Sequence, residues 1–281
     1  MHLVTFTSDF GLSDPYVGEV KGVLAAIAPE VRIIDLTHHI EPGNLVQASF
    51  TLSESFRYFP EGTLHLVVVD PGVGTLRGIV AVRTKSFFFV GPDNGVLWEA
   101  VQRDRPARIA VLDPARLYVE LQNRYPCNNV IGRLVEGGVS ATFHGRDLFA
   151  PLAAYLCDGH PLEAVSLPGE ALEKLALPAP VQTDRSVAGH VLYVDRFGNL
   201  VTNIPREMVD LNDEVFIKSG NEIVMVGTLS ATYADSEPGK PLALIGSRNN
   251  IEIAVNRGSA SDLYNAGCGA EILVMKETRG K

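Results

Sequence analysis

The run Val67-Val-Val-Asp70-Pro-Gly-Val-Gly-Thr-Leu-Arg77 sets a carboxylate at the end of a β-branched strand, a Gly/Pro turn after it and a guanidinium beyond the turn. Open α/β sheets build their sites at strand ends that break this way. A carboxylate there can orient or deprotonate a water, while the arginine balances its charge and keeps it ionised. The plainer alternative is an Asp70–Arg77 ion pair that only holds the turn. A second block, Thr142-Phe-His144-Gly-Arg146-Asp147, supplies the histidine that stands out among the seven in the chain. Asp9, in Thr7-Ser-Asp9-Phe-Gly11, follows another short apolar strand. It can accept two hydroxyl hydrogens from a vicinal diol, each such bond contributing ~1.5–3 kcal/mol. Its alternative is a cap for the next helix, as is expected of Asp14.

Further polar sets recur downstream. In Gly91-Pro-Asp93-Asn94-Gly95, Asn94 either caps a helix or reaches a ligand. Asp195-Arg-Phe-Gly-Asn199 reads as an Asx-rich turn or as a polar binding edge. Ser247-Arg248 follows a strand, where an arginine suits a bidentate grip on a carboxylate, and Glu252 lies on the next strand. Arg257-Gly-Ser259-Ala260 closes the series. His38-His39 has the look of a metal pair, but neighbours in an extended run point opposite ways and no further ligand stands at usable spacing. No metal site is therefore expected.

These blocks, in this order along most of the chain, resemble the S-adenosyl-L-methionine (SAM) hydroxide adenosyltransferases, adenosine-forming SAM hydrolases related to the fluorinases and chlorinases. The resemblance implies that Asp9 binds the ribose diol and that Asp70, Arg77 and His144 surround the attacking water. It assigns Asp195 to the methionine ammonium, Asn199 to the adenine edge, Ser247 and Arg248 with Glu252 to the methionine carboxylate, and the backbone of the Arg257 segment to adenine. Asn94 joins the substrate-binding set. The halogenase branch carries Tyr at the position of Asp70 and Ser at that of Gly145, so Asp and Gly here point to water as the nucleophile. The implied reaction is SAM plus water to adenosine plus L-methionine, with attack on the ribose 5′ carbon and no cofactor. The implied assembly is a homotrimer with sites at subunit interfaces. The segment Asp113–Gly138 departs from the pattern by its greater length than in ordinary members; it reads as an insertion shielding the site.

The elements that must hold these residues alternate in type over the first ~165 residues. Strands are expected at 3–7, 31–36 and 63–69, with a hairpin from 78–84 and 87–90; helices are expected at 16–28, 44–59 and 94–103. The Phe87-Phe88-Phe89 run reads as core. Proline-rich 161–182 reads as the end of a domain and a linker. Short strands follow at 190–194, 215–219, 223–226, 242–245, 251–255 and 270–275. The expected fold is an N-terminal layered α/β domain, 1–180, and a C-terminal antiparallel β-barrel domain, 187–281.

Composition narrows the classes. The 281 residues carry a formal charge of −9, which gives no basic footprint for nucleic acid. No apolar run approaches the about 18 residues of a membrane span, and no signal segment precedes the first strand. Cytoplasm is the expected location. Cys127, Cys157 and Cys268 show no metal spacing and read as buried or inert thiols. Against the hydrolase stand a halide-using transferase, a non-catalytic SAM or adenosine sensor, and a metal-dependent hydrolase. A sensor would tolerate loss of Asp70, Arg77 or His144, and all three are present.

Overall fold

The computed structural model describes residues 3–175, 178–220 and 222–277. The chain divides into two units, Met1–Leu175 and Ala176–Lys281.

The first unit is built on seven strands: β1 (Leu3–Ser8), β2 (Arg32–Thr37), β3 (Leu64–Val68), β4 (Ile79–Thr84), β5 (Phe88–Pro92), β6 (Pro106–Leu112) and β7 (Ser166–Pro168). Their order is β2-β1-β3-β5-β4-β6-β7. β2, β1, β3 and β5 run parallel, and β4, β6 and β7 continue the sheet antiparallel. The helices are α1 (Tyr16–Ile27), α2 (Leu45–Ser55), α3 (Trp98–Arg103), α4 (Pro114–Arg124), α5 (Asn129–Gly137) and α6 (Ala150–Cys157). Strand alternation separates two cores. Val4, Phe6, Leu66 and Val68 pack with residues of α1, α4, α5 and α6. Val67, Val69, Val80 and Val82 pack on the other face with α2 and α3. β3 is buried on both faces, as its β-branched run requires, and it delivers Asp70 at its open end.

The second unit is a closed barrel of β9 (Ser186–Val194), β10 (Leu200–Pro205), β14 (Asn250–Val255), β13 (Pro241–Ile245), β12 (Glu222–Ser230), β11 (Glu214–Ser219) and β15 (Glu271–Met275), returning to β9. A two-residue β8 (Val181–Gln182) pairs with β9, and a short α7 (Ala260–Tyr264) follows β14. The pairings are antiparallel except β12 with β13. Val191, Leu200, Val215, Ile217, Ile253 and Val274 fill the interior.

Several local expectations change. The helix near Asn94 begins only at Trp98. Gly95 has φ +92°, outside the helical region, and a Cβ there would stand 2.7 Å from Leu175. The proline-rich stretch is not all linker. Ser166–Pro168 is an edge strand, where proline needs no ladder donor, and Leu172 is buried in the α2/α3 core. The segment 113–138 forms α4 and α5, whose Leu117, Leu121, Ile131 and Leu134 belong to the core. Phe87 and Phe89 are buried, as expected of core. No disulfide joins the cysteines; Cys157 alone is buried, and Cys127 and Cys268 are exposed.

Candidate active site

Asp70 leaves β3 into a turn in which Val73 N–H donates to the Asp70 carbonyl at 3.1 Å and Thr75 N–H to Gly72 at 3.1 Å. That turn carries Arg77 back over Asp70. Arg77 Nε donates to Asp70 Oδ1 at 2.8 Å, and Nη2 donates to Oδ2. The side chains are only 6% and 10% exposed, so the pair is buried, not a surface ion pair. The same Nη2 lies 2.7 Å from His144 Nδ1. A guanidinium has donors only, so Nδ1 accepts and the ring carries its proton on Nε2. Burial first, then the Arg77 charge, holds His144 below the usual histidine pKa. The ring is thus neutral near pH 7, with an Nε2–H to offer. The guanidinium also lies 5.2 Å from the centroid of the Phe149 ring. The structure therefore joins all three residues, and the Asp70–Arg77 ion pair is part of that cluster.

Asp9 follows β1 and accepts Gly43 N–H on Oδ2 at 2.8 Å. Gly43 has φ +72°, and a Cβ on it would meet Pro71 at 3.5 Å, which ties this carboxylate to the Asp70 turn. It caps no helix: α1 begins after Pro15, with no side-chain cap from Asp14 either. Asn94 donates to the Val69 carbonyl at 3.0 Å and accepts Val96 N–H at 3.2 Å. Both ends of its amide hold backbone, so it secures the residue preceding Asp70. His38 is buried and bonds Ser8 Oγ at 2.7 Å, with Asp35 at 3.1 Å; its neighbour His39 is exposed.

In the second unit, Asp195, Ser247, Arg248 and Glu252 line one cavity of about 170 Å³ together with Tyr193. Asn199 and Arg257 line another, of about 510 Å³, with Phe197 and Tyr233. Two hydrogen bonds link these linings: Asn199 Nδ2 to Asp195 Oδ2 at 3.0 Å, and Tyr233 O–H to Glu252 at 2.5 Å. Asp195 Oδ1 also accepts the N–H groups of Phe197 and Asn199, so the Asx turn and the cavity wall are the same feature. Burial, with the Asp195 charge adding, raises the Glu252 carboxyl above its ordinary pKa against the opposing Tyr233 bond. Two carboxylates and one guanidinium around a small cavity suit a zwitterion with a free ammonium. Tyr193 and Tyr233 escaped the sequence argument. Tyr193 lies two residues before Asp195 on β9, and the Arg248 guanidinium is 5.4 Å from its ring centroid. Strand period two could have found it. Tyr233 sits in a short 3₁₀ turn with no such signal.

The family model of the SAM hydroxide adenosyltransferase N-terminal domain matches residues 4–166, and that of the C-terminal domain matches residues 189–273. An (R)-S-adenosyl-L-methionine hydrolase of Thermus thermophilus is 40% identical over 264 residues, 93% of this chain and 95% of its own. A fluorinase of Actinopolyspora mzabensis is 27% identical over 308 residues, 98% of this chain and 97% of its own. The crystal structure of an uncharacterized conserved protein from Thermotoga maritima superposes with a TM-score of 0.83 at 37% identity, covering 96% of this chain and 99% of that one.

Proposed function

The chain belongs to the SAM hydroxide adenosyltransferase family, and on that premise we propose that Asp70, Arg77 and His144 activate the water that attacks its substrate. It is a hydrolase that splits S-adenosyl-L-methionine into adenosine and L-methionine. The oxygen bonds to the ribose 5′ carbon as the carbon–sulfur bond breaks. Sulfur leaves with the bonding pair as a neutral thioether, so no acid protonates it. The enzyme's task reduces to positioning, desolvation and nucleophile activation.

The observation that carries this reading is the single guanidinium that holds both Asp70 and His144 in a buried cluster. Arg77 fixes the tautomer of His144, whose Nε2–H donates to the nucleophile oxygen. With Nδ1 committed to Arg77, His144 does not take the water's proton. Asp70 retains a lone pair on each oxygen beyond those used by Arg77. It orients the water and accepts its proton, and the Arg77 charge stabilises the hydroxide as it forms. Asp9 accepts the ribose hydroxyls, Asp195 takes the methionine ammonium, Ser247 and Arg248 its carboxylate, and Asn199 with the Arg257 segment the adenine; Glu252, which the resemblance groups with the carboxylate grip, joins Asp195 instead, because its own carboxylate would repel that of methionine. Asn94 serves the site from behind, by holding Val69.

The reading extends to a homotrimer in which the barrel of one copy completes the site of its neighbour. Supporting it, Leu76 of the Asp70–Arg77 loop and Phe197 of the Asp195–Asn199 turn are among the most exposed large apolar side chains of the protein. The chemistry calls for no metal or redox cofactor, because the leaving group departs neutral. The three thiols, none of them in a disulfide, fit a reducing compartment, and we place the chain in the cytoplasm. Nucleic acid is no partner for so acidic a surface.

Conversion of SAM in water labelled with heavy oxygen, in chloride and in halide-free buffer, tests the reading. Both sulfonium epimers belong in the assay, since the relatives are named for the (R) form. Labelled adenosine in both buffers is expected. A 5′-halogenated nucleoside, or SAM bound and unconverted, contradicts it.

A further inference from the structure

His144 directly precedes a single π-helical turn, Gly145–Phe149, and the Asp147 carboxylate is fully buried inside that turn. Isolated π turns recur at functional sites, where they shift one side chain out of helical register. Two hydrogen bonds of Asp147 hold the loop that ends in His144. Oδ2 accepts Ser140 N–H at 2.8 Å, and the Asp147 N–H donates to the Phe143 carbonyl at 3.2 Å. Both ends of the 140–144 loop are therefore fixed by one residue. Arg146 donates Nε to Oδ1 at 2.7 Å and Nη1 to Glu19 of α1 at 3.0 Å, and its guanidinium carbon lies 5.0 Å from the Phe143 ring centroid. From behind, Tyr118 of α4 donates its hydroxyl to the Asp147 carbonyl at 3.0 Å.

We propose that Asp147, braced by Tyr118 and Arg146, is the positioning residue of the active site, and that α4 exists in this chain as the support of His144, not as a lid. The inference rests on the water-activating role of Asp70, Arg77 and His144. Stability alone gives little reason to bury this carboxylate, because buried ion pairs are often matched or bettered by apolar residues of similar volume. Its bonds instead fix where His144 Nδ1 meets Arg77, and displacements on the order of 1 Å at such a contact lower rates by about a hundredfold.

The test compares Asp147→Asn and Tyr118→Phe with the unaltered protein for kcat, KM, SAM affinity and thermal melting. Asp147→Asn should lower kcat by about tenfold to a hundredfold, with KM and affinity changed by less than about threefold, below the 1.4 kcal/mol that a factor of ten represents. Tyr118→Phe should lower kcat less, again at unchanged KM, with a melting shift of about 2–4 °C or below. If Asp147→Asn does not fold, Tyr118→Phe carries the test by the same split. Unchanged kcat in the folded variants, or a loss confined to melting temperature and affinity, overturns the proposal. Failure of the unaltered protein to convert SAM overturns the underlying reading instead.

Discussion

The α-carbon of Gly74 lies so close to the Ala141 carbonyl that a Cβ on it would stand 2.4 Å from the oxygen. Gly74 has φ +78°, which a side chain also disfavours. This contact presses the loop carrying Arg77 against the loop carrying His144. Gly74→Ala should separate them and lower kcat by about tenfold or more, with SAM affinity nearly kept. Unaltered kcat would show that the contact does not set the Arg77–His144 geometry.

Asp9→Asn keeps an acceptor for Gly43 N–H but turns the other carboxylate position into a donor, where the proposed diol contact needs an acceptor. Loss of a charge-assisted bond of ~1.5–3 kcal/mol predicts SAM affinity weaker by about tenfold to a hundredfold, read by calorimetry. An unchanged dissociation constant would remove Asp9 from the diol contact.

Protonating His144 would put a second donor against Arg77 Nη2 and dissolve the cluster. Burial first, then the Arg77 charge, holds its pKa below the ordinary histidine value of about 6.5, so the acid limb of kcat/KM should fall below that pH. A limb at or above that value, tracking this ring by NMR, would contradict the neutral tautomer.

His65 predicts the acid behaviour of the fold itself. Its ring is buried among Phe56, Phe87 and Phe89, bonds Thr5 at 2.7 Å, and is pushed by burial down to about 3. The unfolded ring takes its proton near 6.5. Between those values the unfolded state binds more protons, so the contribution is complete above pH 6.5 and is lost as pH falls toward 3. Urea unfolding from pH 7 to 4.5 should show the decline, with the His65 ring untitrated by NMR. A ring titrating near 6.5 in the folded protein would refute it.

Much of the Asp70–Arg77–His144 cluster was legible because strand ends and turns are local. Asp70 and Asp9 follow apolar runs, and Arg77 follows a Gly/Pro turn. His144 was legible only through its motif, since its partner is 67 residues away. For Asn94 and Asp195 the sequence left two roles open, because an Asx side chain that holds backbone and one that meets a ligand look alike in sequence. β10 went unseen: Thr202 and Asn203 interrupt its apolar signal, yet Thr202 is buried by its bond to Ile251 and Asn203 by its bond to Pro178. The core role of α4 and α5 depended on tertiary burial of a few leucines among charged neighbours, which periodicity alone does not reveal.

On the proposed mechanism Asp70, held by Arg77, activates the attacking water. Single-turnover conversion of SAM by Asp70→Ala, measured beside its SAM dissociation constant, tests it most directly. Adenosine formation should be abolished while SAM binding stays within about threefold of the unaltered protein, under the 1.4 kcal/mol of a tenfold change. Turnover at the unaltered rate, with adenosine carrying oxygen from water, would contradict it.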